Sequence, residues 1–337
     1  FSFEILAFHH ASGFLFRKVV YFLDTFCFLI FITQNKKRNQ PWIFFEDCFS
    51  AASDNYKGFS FCSFLFQKGW IGHMKLSKLL SSLGISSGFQ EVEVSDIVYD
   101  SRKVKPDCLF VCLRGSASDG HRYAADAARA GACVIVAEEP VEAPGAQVLL
   151  TGDTKTALAL LSAAFFGNPA ERELKVIGIT GTKGKTTTAY MVHSILESAG
   201  HKAGVMGTIG VLIGDEVTAL ENTTPASYEV QKHLRRMADA GCEYCVMEAS
   251  SIGLKDQRVA GIPFEVGVFT NFSEDHIGGV EHRDMQEYLE SKAKLFSMCK
   301  TGVVNLDDDN VEGILKGHTC KVKTYGFGQA AQLRGAD

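Results

Sequence analysis

Residues 181–187, Gly-Thr-Lys-Gly-Lys-Thr-Thr, form the stretch whose residue types and spacing point most directly to chemistry. Glycines here would let backbone N–H groups approach a phosphate, and the positive end of a following helix would attract it. Lys185 is expected to reach the terminal phosphates of a nucleotide, and Thr186 to place its hydroxyl on magnesium. Ile179 stands where the strict Walker spacing has its first glycine. An ordinary strand-to-helix turn is the alternative, but such turns rarely carry this combination, so the pattern favours phosphate binding.

An acid and a histidine follow two apolar runs farther along the chain. Glu248 ends the run that starts at Cys245, and a carboxylate at the end of such a strand can meet magnesium or its water. His276 follows Asp275, just beyond the apolar run 266–269. A surface histidine is the alternative, but at the phosphate-binding edge of a parallel sheet His276 is interpreted as an active-site group.

Thr223 and Thr224 precede Pro225, which suits the first turn of a helix with Thr224 as its cap. This helix is predicted to run to Gly241. Free N–H groups at its start would attract a carboxylate or a phosphate. A plain cap is the alternative, and capping and binding are compatible.

Alternating strands and helices must position these groups. Apolar runs at 174–179 and 203–206 predict buried strands, and helical spacing continues after the glycine-rich loop until Gly200. Upstream, strands are predicted over 109–113 and 133–137, with a polar loop and an alanine-rich helix capped by Asp119 between them. This order indicates a small α/β unit, and Gly167-Asn168-Pro169 is interpreted as the linker that follows it.

Composition narrows the function classes. The 337 residues carry a formal net charge of −5, and the only basic block is Lys36-Lys37-Arg38, so nucleic acid is a poor candidate partner. The ten cysteines are scattered, and a cytoplasmic nucleotide enzyme would keep them as thiols. Cys242 and Cys245 have no second pair, which favours a packed core over a zinc site.

Residues 1–73 differ from the remainder. They hold 16 of the 25 phenylalanines, contain no methionine and show no helical or alternating periodicity. The run 19–32 is apolar enough to suggest a membrane span or signal segment, but Asp24 interrupts it and it is short. We interpret residues 1–73 as upstream sequence read through as protein, with a genuine anchor as the alternative. Met74 opens a credible amphipathic start.

Several motifs in order resemble the Mur ligases. They are residues 181–187, Glu221-Asn-Thr-Thr224, Glu248-Ala-Ser-Ser251, Thr270-Asn271 with Asp275-His276, and Asn305-Leu-Asp-Asp308. Residues 99–102 and 119–123 are similar to the nucleotide-sugar domain of members that add the third amino acid to UDP-N-acetylmuramoyl-L-alanyl-D-glutamate. The resemblance covers Met74 to about Tyr325. Asp256 stands where the family usually has glutamine, Ile252 replaces a common histidine, and the stretch 277–283 is longer than in many members.

The resemblance implies a role for each matching residue. ATP phosphates would be held by Gly181, Thr182, Lys183, Gly184, Lys185, Thr186 and Thr187. The uridine diphosphate end would be held by Ser101 and the loop Ser116, Ala117 and Ser118. The muramoyl dipeptide would be positioned by Asn222, Thr223, Thr224, Ser250 and Arg258. The implied catalytic residues are Lys185, Glu248, His276 and Lys292, with magnesium held by Thr186, Glu248, His276 and Lys292 as its carbamate.

The implied fold class is α/β. Residues 74–168 would form a small nucleotide-sugar domain that binds the UDP-muramoyl substrate. Residues 169–337 would form an incomplete central P-loop ATPase domain with a mostly parallel sheet, and the third, Rossmann-like domain would be absent. The implied protein is a cytoplasmic monomer without membrane contact.

The implied reaction is ATP-dependent amide ligation in peptidoglycan precursor synthesis. ATP would convert the D-glutamyl side-chain carboxylate into an acyl phosphate, which the amine of L-lysine or meso-diaminopimelate would attack. Without the third domain, this chain is expected to bind nucleotides but not to complete the ligation, because the amine would not be oriented.

Two other functions remain open at this point. A ligase similar to folylpolyglutamate synthase would share the ATP motifs, but the Tyr99-Asp-Ser-Arg102 unit ahead of the nucleotide domain disfavours it. A non-catalytic nucleotide-binding or membrane-tethered protein is the alternative from another class, if residues 1–73 are genuine.

Overall fold

The computed structural model describes residues 73–115, 118–275, 277–278 and 281–335. Four of the predictions above lie outside these ranges: the interpretation of residues 1–73, of which only His73 is described, and the roles of Ser116, Ala117 and His276. The strands are β1 Met74–Lys75, β2 Glu93–Val94, β3 Ile97–Val98, β4 Leu109–Val111, β5 Val134–Ala137, β6 Gln147–Leu150, β7 Lys175–Thr180, β8 Ala203–Gly207, β9 Gly210–Ile213, β10 Glu216–Thr218, β11 Tyr244–Glu248, β12 Phe264–Phe269, β13 Cys299–Asn305, β14 Lys321–Gly326 and β15 Leu333–Arg334. The helices are α1 Leu76–Leu80, α2 Ala124–Arg129, α3 Thr154–Phe165, α4 Pro169–Arg172, α5 Lys185–Ser198, α6 Ser227–Asp239, α7 Ser251–Lys255, α8 Met285–Ala293, α9 Leu295–Met298 and α10 Val311–Ile314.

The small sheet has the strand order β3-β4-β5-β6, and all its pairs are parallel. The strands β3, β4 and β5 are buried on both faces because helices cover both sides, whereas the edge strand β6 is partly exposed. Leu109 and Val111 pack against α1 and α3, while Phe110 packs with the alanines of α2. The Asp153 carboxylate caps α3 by accepting from the backbone N–H of Lys155.

The large sheet has the order β10-β9-β8-β11-β7-β12-β13-β14-β15. From β8 to β15 in this order every pair is parallel, and β9 and β10 add an antiparallel hairpin at one edge. The strand β7 lies between β11 and β12, so the carboxyl ends of these three strands are neighbours. This topology brings the loop after β7, Glu248 at the end of β11 and Thr270 after β12 to one edge.

The predicted α/β class with a mostly parallel P-loop sheet is confirmed, and the predicted domain boundaries remain predictions. The hairpin over 210–218 was missed, since no strand was predicted there. The predicted helix start at Pro225 was wrong: α6 begins at Ser227, and no side chain caps it. Cys242 and Cys245 are buried and free, as expected for a packed core. In the described part of the chain, no helix has both the length and the apolar character needed to cross a membrane.

Candidate active site

The glycine-rich loop joins β7 to α5, as predicted. Gly181 has φ 144°, and a Cβ placed there would overlap the Oγ1 of Thr270. Gly184 has φ 84° and forms the N-cap of α5. Both positions therefore require glycine, because a larger residue would be strained at either and would clash at Gly181.

Two residues that follow β12 hold this loop from the side. Thr270 Oγ1 donates to the Lys183 carbonyl at 2.7 Å, and Asn271 Nδ2 donates to the same oxygen at 3.0 Å. The Lys183 N–H donates to Asn271 Oδ1 at 3.0 Å, and the Thr182 N–H to the Asn271 carbonyl at 2.8 Å. The loop is thus preorganised at the amino end of a 14-residue helix, where phosphates bind well.

Lys185 lies over the loop that it is predicted to serve. Its Nζ donates to the carbonyls of Gly181 at 2.9 Å and Thr182 at 3.0 Å. Burial lowers the pKa of Lys185, whereas the charges of Glu248 and Asp275 raise it. The two hydrogen bonds hold the Lys185 side chain within the loop.

Glu248 is a buried carboxylate, 1 % exposed, at the end of β11. It accepts from Thr186 Oγ1 at 3.0 Å, from the Thr208 N–H at 2.9 Å and from Thr208 Oγ1 at 3.2 Å. Within the described part of the chain, only neutral groups donate hydrogen bonds to it. A buried carboxylate beside a hydroxyl is an oxygen donor set of the kind that Mg²⁺ takes, so Glu248 and Thr186 fit the predicted metal site.

Lys292 is 1 % exposed, at the carboxyl end of α8. Its Nζ donates to the Gly181 carbonyl at 2.9 Å and lies 4.2 Å from the centroid of the Tyr288 ring. Burial, and then the nearby charge of Lys185, lower the pKa of Lys292 to about 6, with Asp275 opposing. The side chain is therefore a neutral amine at pH 7, the form that reacts with CO₂.

This neutral amine predicts a pH dependence of stability. The unfolded chain keeps the Lys292 proton up to its ordinary pKa of 10.5, whereas the folded chain loses it near 6. Between these values unfolding takes up a proton, so rising pH favours the folded state. From pH 7 to 9, the free energy of unfolding of the wild type should gain about 2.7 kcal/mol over that of Lys292→Met. Urea titrations of both proteins in CO₂-free buffer measure this gain, and parallel pH profiles would contradict a neutral Lys292.

A cleft of about 1030 Å³ lies between the small sheet and the large sheet. Tyr99, Lys103 and Arg114 line it from the side of the small sheet, and Asn222 and Arg258 from the side of the large sheet. Two of the five predicted dipeptide-binding residues, Asn222 and Arg258, therefore share a cavity with elements of the predicted nucleotide-sugar domain.

Thr224 connects this cleft to the strand that carries Glu248. Its Oγ1 donates to the Glu248 carbonyl at 2.7 Å and accepts from the Ser250 N–H at 3.0 Å. Arg258 Nη1 donates to the Thr224 carbonyl at 2.9 Å, and the Ser250 side chain caps α7 by accepting from the Gly253 N–H. The assignment of Thr224 as the cap of α6 was therefore wrong, and its role in binding the dipeptide stays a prediction.

The remaining predicted site residues lie at different distances from Glu248 and from the cleft. Thr223 Oγ1 is 3.0 Å from Thr208 Oγ1, close to Glu248, and Thr187 lies in the first turn of α5. Ser101 starts a short 3₁₀ turn ending at Lys103, which lines the cleft, although Ser101 itself does not line it. Ser118 is exposed, and its carbonyl accepts from the Gly115 N–H at 2.9 Å.

Some residues of the site were missed by sequence reasoning. Thr208 contacts Glu248 but lies 40 positions away, in a turn with no motif. Tyr288 lies beneath Lys292, and its hydroxyl donates to Thr182 Oγ1 at 3.3 Å. Lys155 lines the cleft from α3. Thr208 reaches Glu248 because β8 pairs with β11, and no motif in the sequence marked either Thr208 or Tyr288.

The fold and site define a class: parallel α/β proteins with a glycine-rich phosphate loop and an acid on the adjacent strand. The family described as "Mur ligase family, catalytic domain" matches residues 93–181, and "Mur ligase middle domain" matches residues 179–337. The chain belongs to the Mur ligase family, as the resemblance predicted.

Similar relatives point to one branch of this family. The chain is 40 % identical over 269 residues to the UDP-N-acetylmuramoyl-L-alanyl-D-glutamate–2,6-diaminopimelate ligase of Clostridium perfringens, covering 77 % of this chain and 55 % of the relative. The ligase of the same name from Clostridium botulinum is 41 % identical over 266 residues, with 77 % and 54 % covered. A solved structure of a ligase with this name superposes with a TM-score of 0.65 at 26 % identity, with 77 % and 53 % covered. The chain thus spans about half the length of these relatives.

Proposed function

We propose that this chain carries the ATP-binding and nucleotide-sugar-binding parts of a ligase that joins 2,6-diaminopimelate to the D-glutamate of UDP-N-acetylmuramoyl-L-alanyl-D-glutamate. The observation that carries this proposal is the bridge made by Thr224. Its hydroxyl joins the cleft-lining segment that includes Asn222 to the end of β11, where Glu248 faces the phosphate loop. The names of the relatives support 2,6-diaminopimelate as the amino acid.

The charge of the cleft supports an anionic ligand. Seven cationic side chains line it against four acidic ones, although the whole chain has a net charge of −5. The cations are Lys103, Arg114, Lys155, Lys232, Arg236, Lys255 and Arg258. The acids are Glu221, Glu229, Asp256 and Glu281. A diphosphate and peptide carboxylates suit such a surface.

The phosphate loop performs the first half of the proposed reaction. Backbone N–H groups of residues 184–186 at the start of α5 cradle the ATP phosphates, and Lys185 moves from the loop carbonyls to the phosphoryl group being transferred. The D-glutamyl carboxylate attacks the terminal phosphorus, the bond to the bridging oxygen of ADP breaks, and an acyl phosphate forms. An amine then displaces phosphate to form the amide.

Thr186, Glu248, His276 and the carbamate of Lys292 would hold magnesium, which neutralises developing charge on the phosphates when bound. The Lys292 amine adds to CO₂ and releases a proton, which leaves a carbamate anion. This change gives the Lys292 side chain a negative charge, which attracts the neighbouring Lys185 ammonium. The neutral amine next to Lys185 supports this assignment.

Trapping the acyl phosphate with hydroxylamine tests the proposal without the amino-acid step. With Mg²⁺, ATP and the UDP-muramoyl dipeptide, we expect the full chain to form the dipeptide hydroxamate and ADP in equal amounts. Neither UDP-N-acetylglucosamine nor dihydropteroate should yield a hydroxamate, since the first lacks a carboxylate and the second suits a folate ligase. Hydroxamate formed from dihydropteroate but not from the dipeptide would favour the folate alternative. ATP binding without any hydroxamate would contradict the ligase function.

A further inference from the structure

We propose that Asp256 is a specificity-determining residue. Its carboxylate lies between one cation from each side of the cleft, at the position where a carboxylate of the ligand would bind. The inference rests on the proposed function, because it takes the UDP-muramoyl dipeptide as the ligand. Asp256 would thus act as an internal competitor that weakens dipeptide binding.

An ion-pair network across the cleft carries this inference. Lys155 Nζ, from the first turn of α3, donates to Asp256 Oδ1 at 2.6 Å. Arg258 Nη2 donates to Asp256 Oδ2 at 3.3 Å. The two carboxylate oxygens are therefore shared between a cation packed on the small sheet and a cation of the large sheet, and all three side chains line the cleft.

The backbone at the end of α7 builds this arrangement. Gln257 has φ 57°, a left-handed conformation that non-glycine residues rarely adopt. The reversal lets the Arg258 N–H donate to the Gly253 carbonyl at 2.9 Å, and the Arg258 guanidinium then lies between Asp256 and the Thr224 carbonyl. Strained residues of this kind collect at binding sites, where the surrounding contacts maintain them.

The ligand chemistry explains what the network does. The D-glutamate of the dipeptide has one carboxylate that is activated and one that is not. The carboxylate that is not activated needs a cationic partner in the cleft. Arg258 and Lys155 offer two positive charges, one for each of its oxygens. Asp256 already pairs with both cations, so a ligand carboxylate must compete with it.

Calorimetry on the full chain tests the competition with two ligands. The neutral variant Asp256→Asn should bind the UDP-muramoyl dipeptide roughly fivefold more tightly than the wild type. Its affinity for UDP-N-acetylglucosamine, which has no carboxylate, should change less than about twofold. The matched control is Glu265→Gln, which removes the same charge from an exposed pair with Lys300, 2.7 Å apart; it should leave both affinities unchanged.

A second variant separates competition from loss of local structure. Lys155→Met removes one of the two cations and should weaken dipeptide binding. Weaker dipeptide binding by Asp256→Asn, or equal changes for both ligands, would overturn the inference while leaving the proposed function intact. Failure of the wild type to bind the dipeptide, when it does bind UDP-N-acetylglucosamine, would instead reject the proposed function.

Discussion

Replacing Glu248 by glutamine should lower hydroxamate formation from Mg²⁺, ATP and the dipeptide by at least about 100-fold. The variant keeps the size of the side chain but removes the one charge that this buried position offers to a cation. Thr186 and Thr208 can still hydrogen-bond an amide, so the fold should survive. Affinity for UDP-N-acetylglucosamine should stay within about twofold, because the cleft residues are unchanged.

The same strand provides the control for this experiment. Glu243 directly precedes β11 at its opposite end and pairs with His201 at the surface, 3.1 Å away. Glu243→Gln changes the net charge equally and should retain wild-type hydroxamate formation. Circular dichroism checks that both variants are folded. If folded Glu248→Gln turned over at the wild-type rate, Glu248 would not be the magnesium ligand.

The second large effect is expected from Lys292→Ala, which should also reduce hydroxamate formation by about 100-fold or more. The variant loses the amine that forms the carbamate, and with it an anionic ligand next to Lys185. Acetate or another short carboxylate can enter the space left by the side chain, so added carboxylate should restore part of the activity. In ¹³C-bicarbonate buffer, the wild type should show a carbamate resonance that the variant lacks.

Lys300→Ala is the matched control, since its side chain is 68 % exposed and pairs only with Glu265 among the described residues. It should keep both the activity and the carbamate resonance. Full activity of Lys292→Ala that is indifferent to bicarbonate and carboxylates would refute the carbamate assignment.

Features formed by residues that are close together in the chain could be predicted from the sequence. The strand β7, its glycine-rich loop and α5 follow one another within 24 residues, so neighbouring residue types predict the phosphate site. Glu248 was predicted as a metal ligand for the same reason, as an acid that ends an apolar run. Family resemblance added Lys292, which periodicity alone leaves as a surface lysine.

Contacts between distant segments depended on the tertiary structure. Thr224 looked like a helix cap, but its hydroxyl is taken by β11, because the pairing of β11 with β7 and β8 brings that strand's end beside it. Thr208 meets Glu248 for the same reason, and Lys155 meets Asp256 only because α3 lies across the cleft from α7. Hydrogen bonds and ion pairs require partners within about 3 Å. Residue order along the chain sets those distances within a loop or a helix turn, whereas between strands and across the cleft they are set by sheet order and packing.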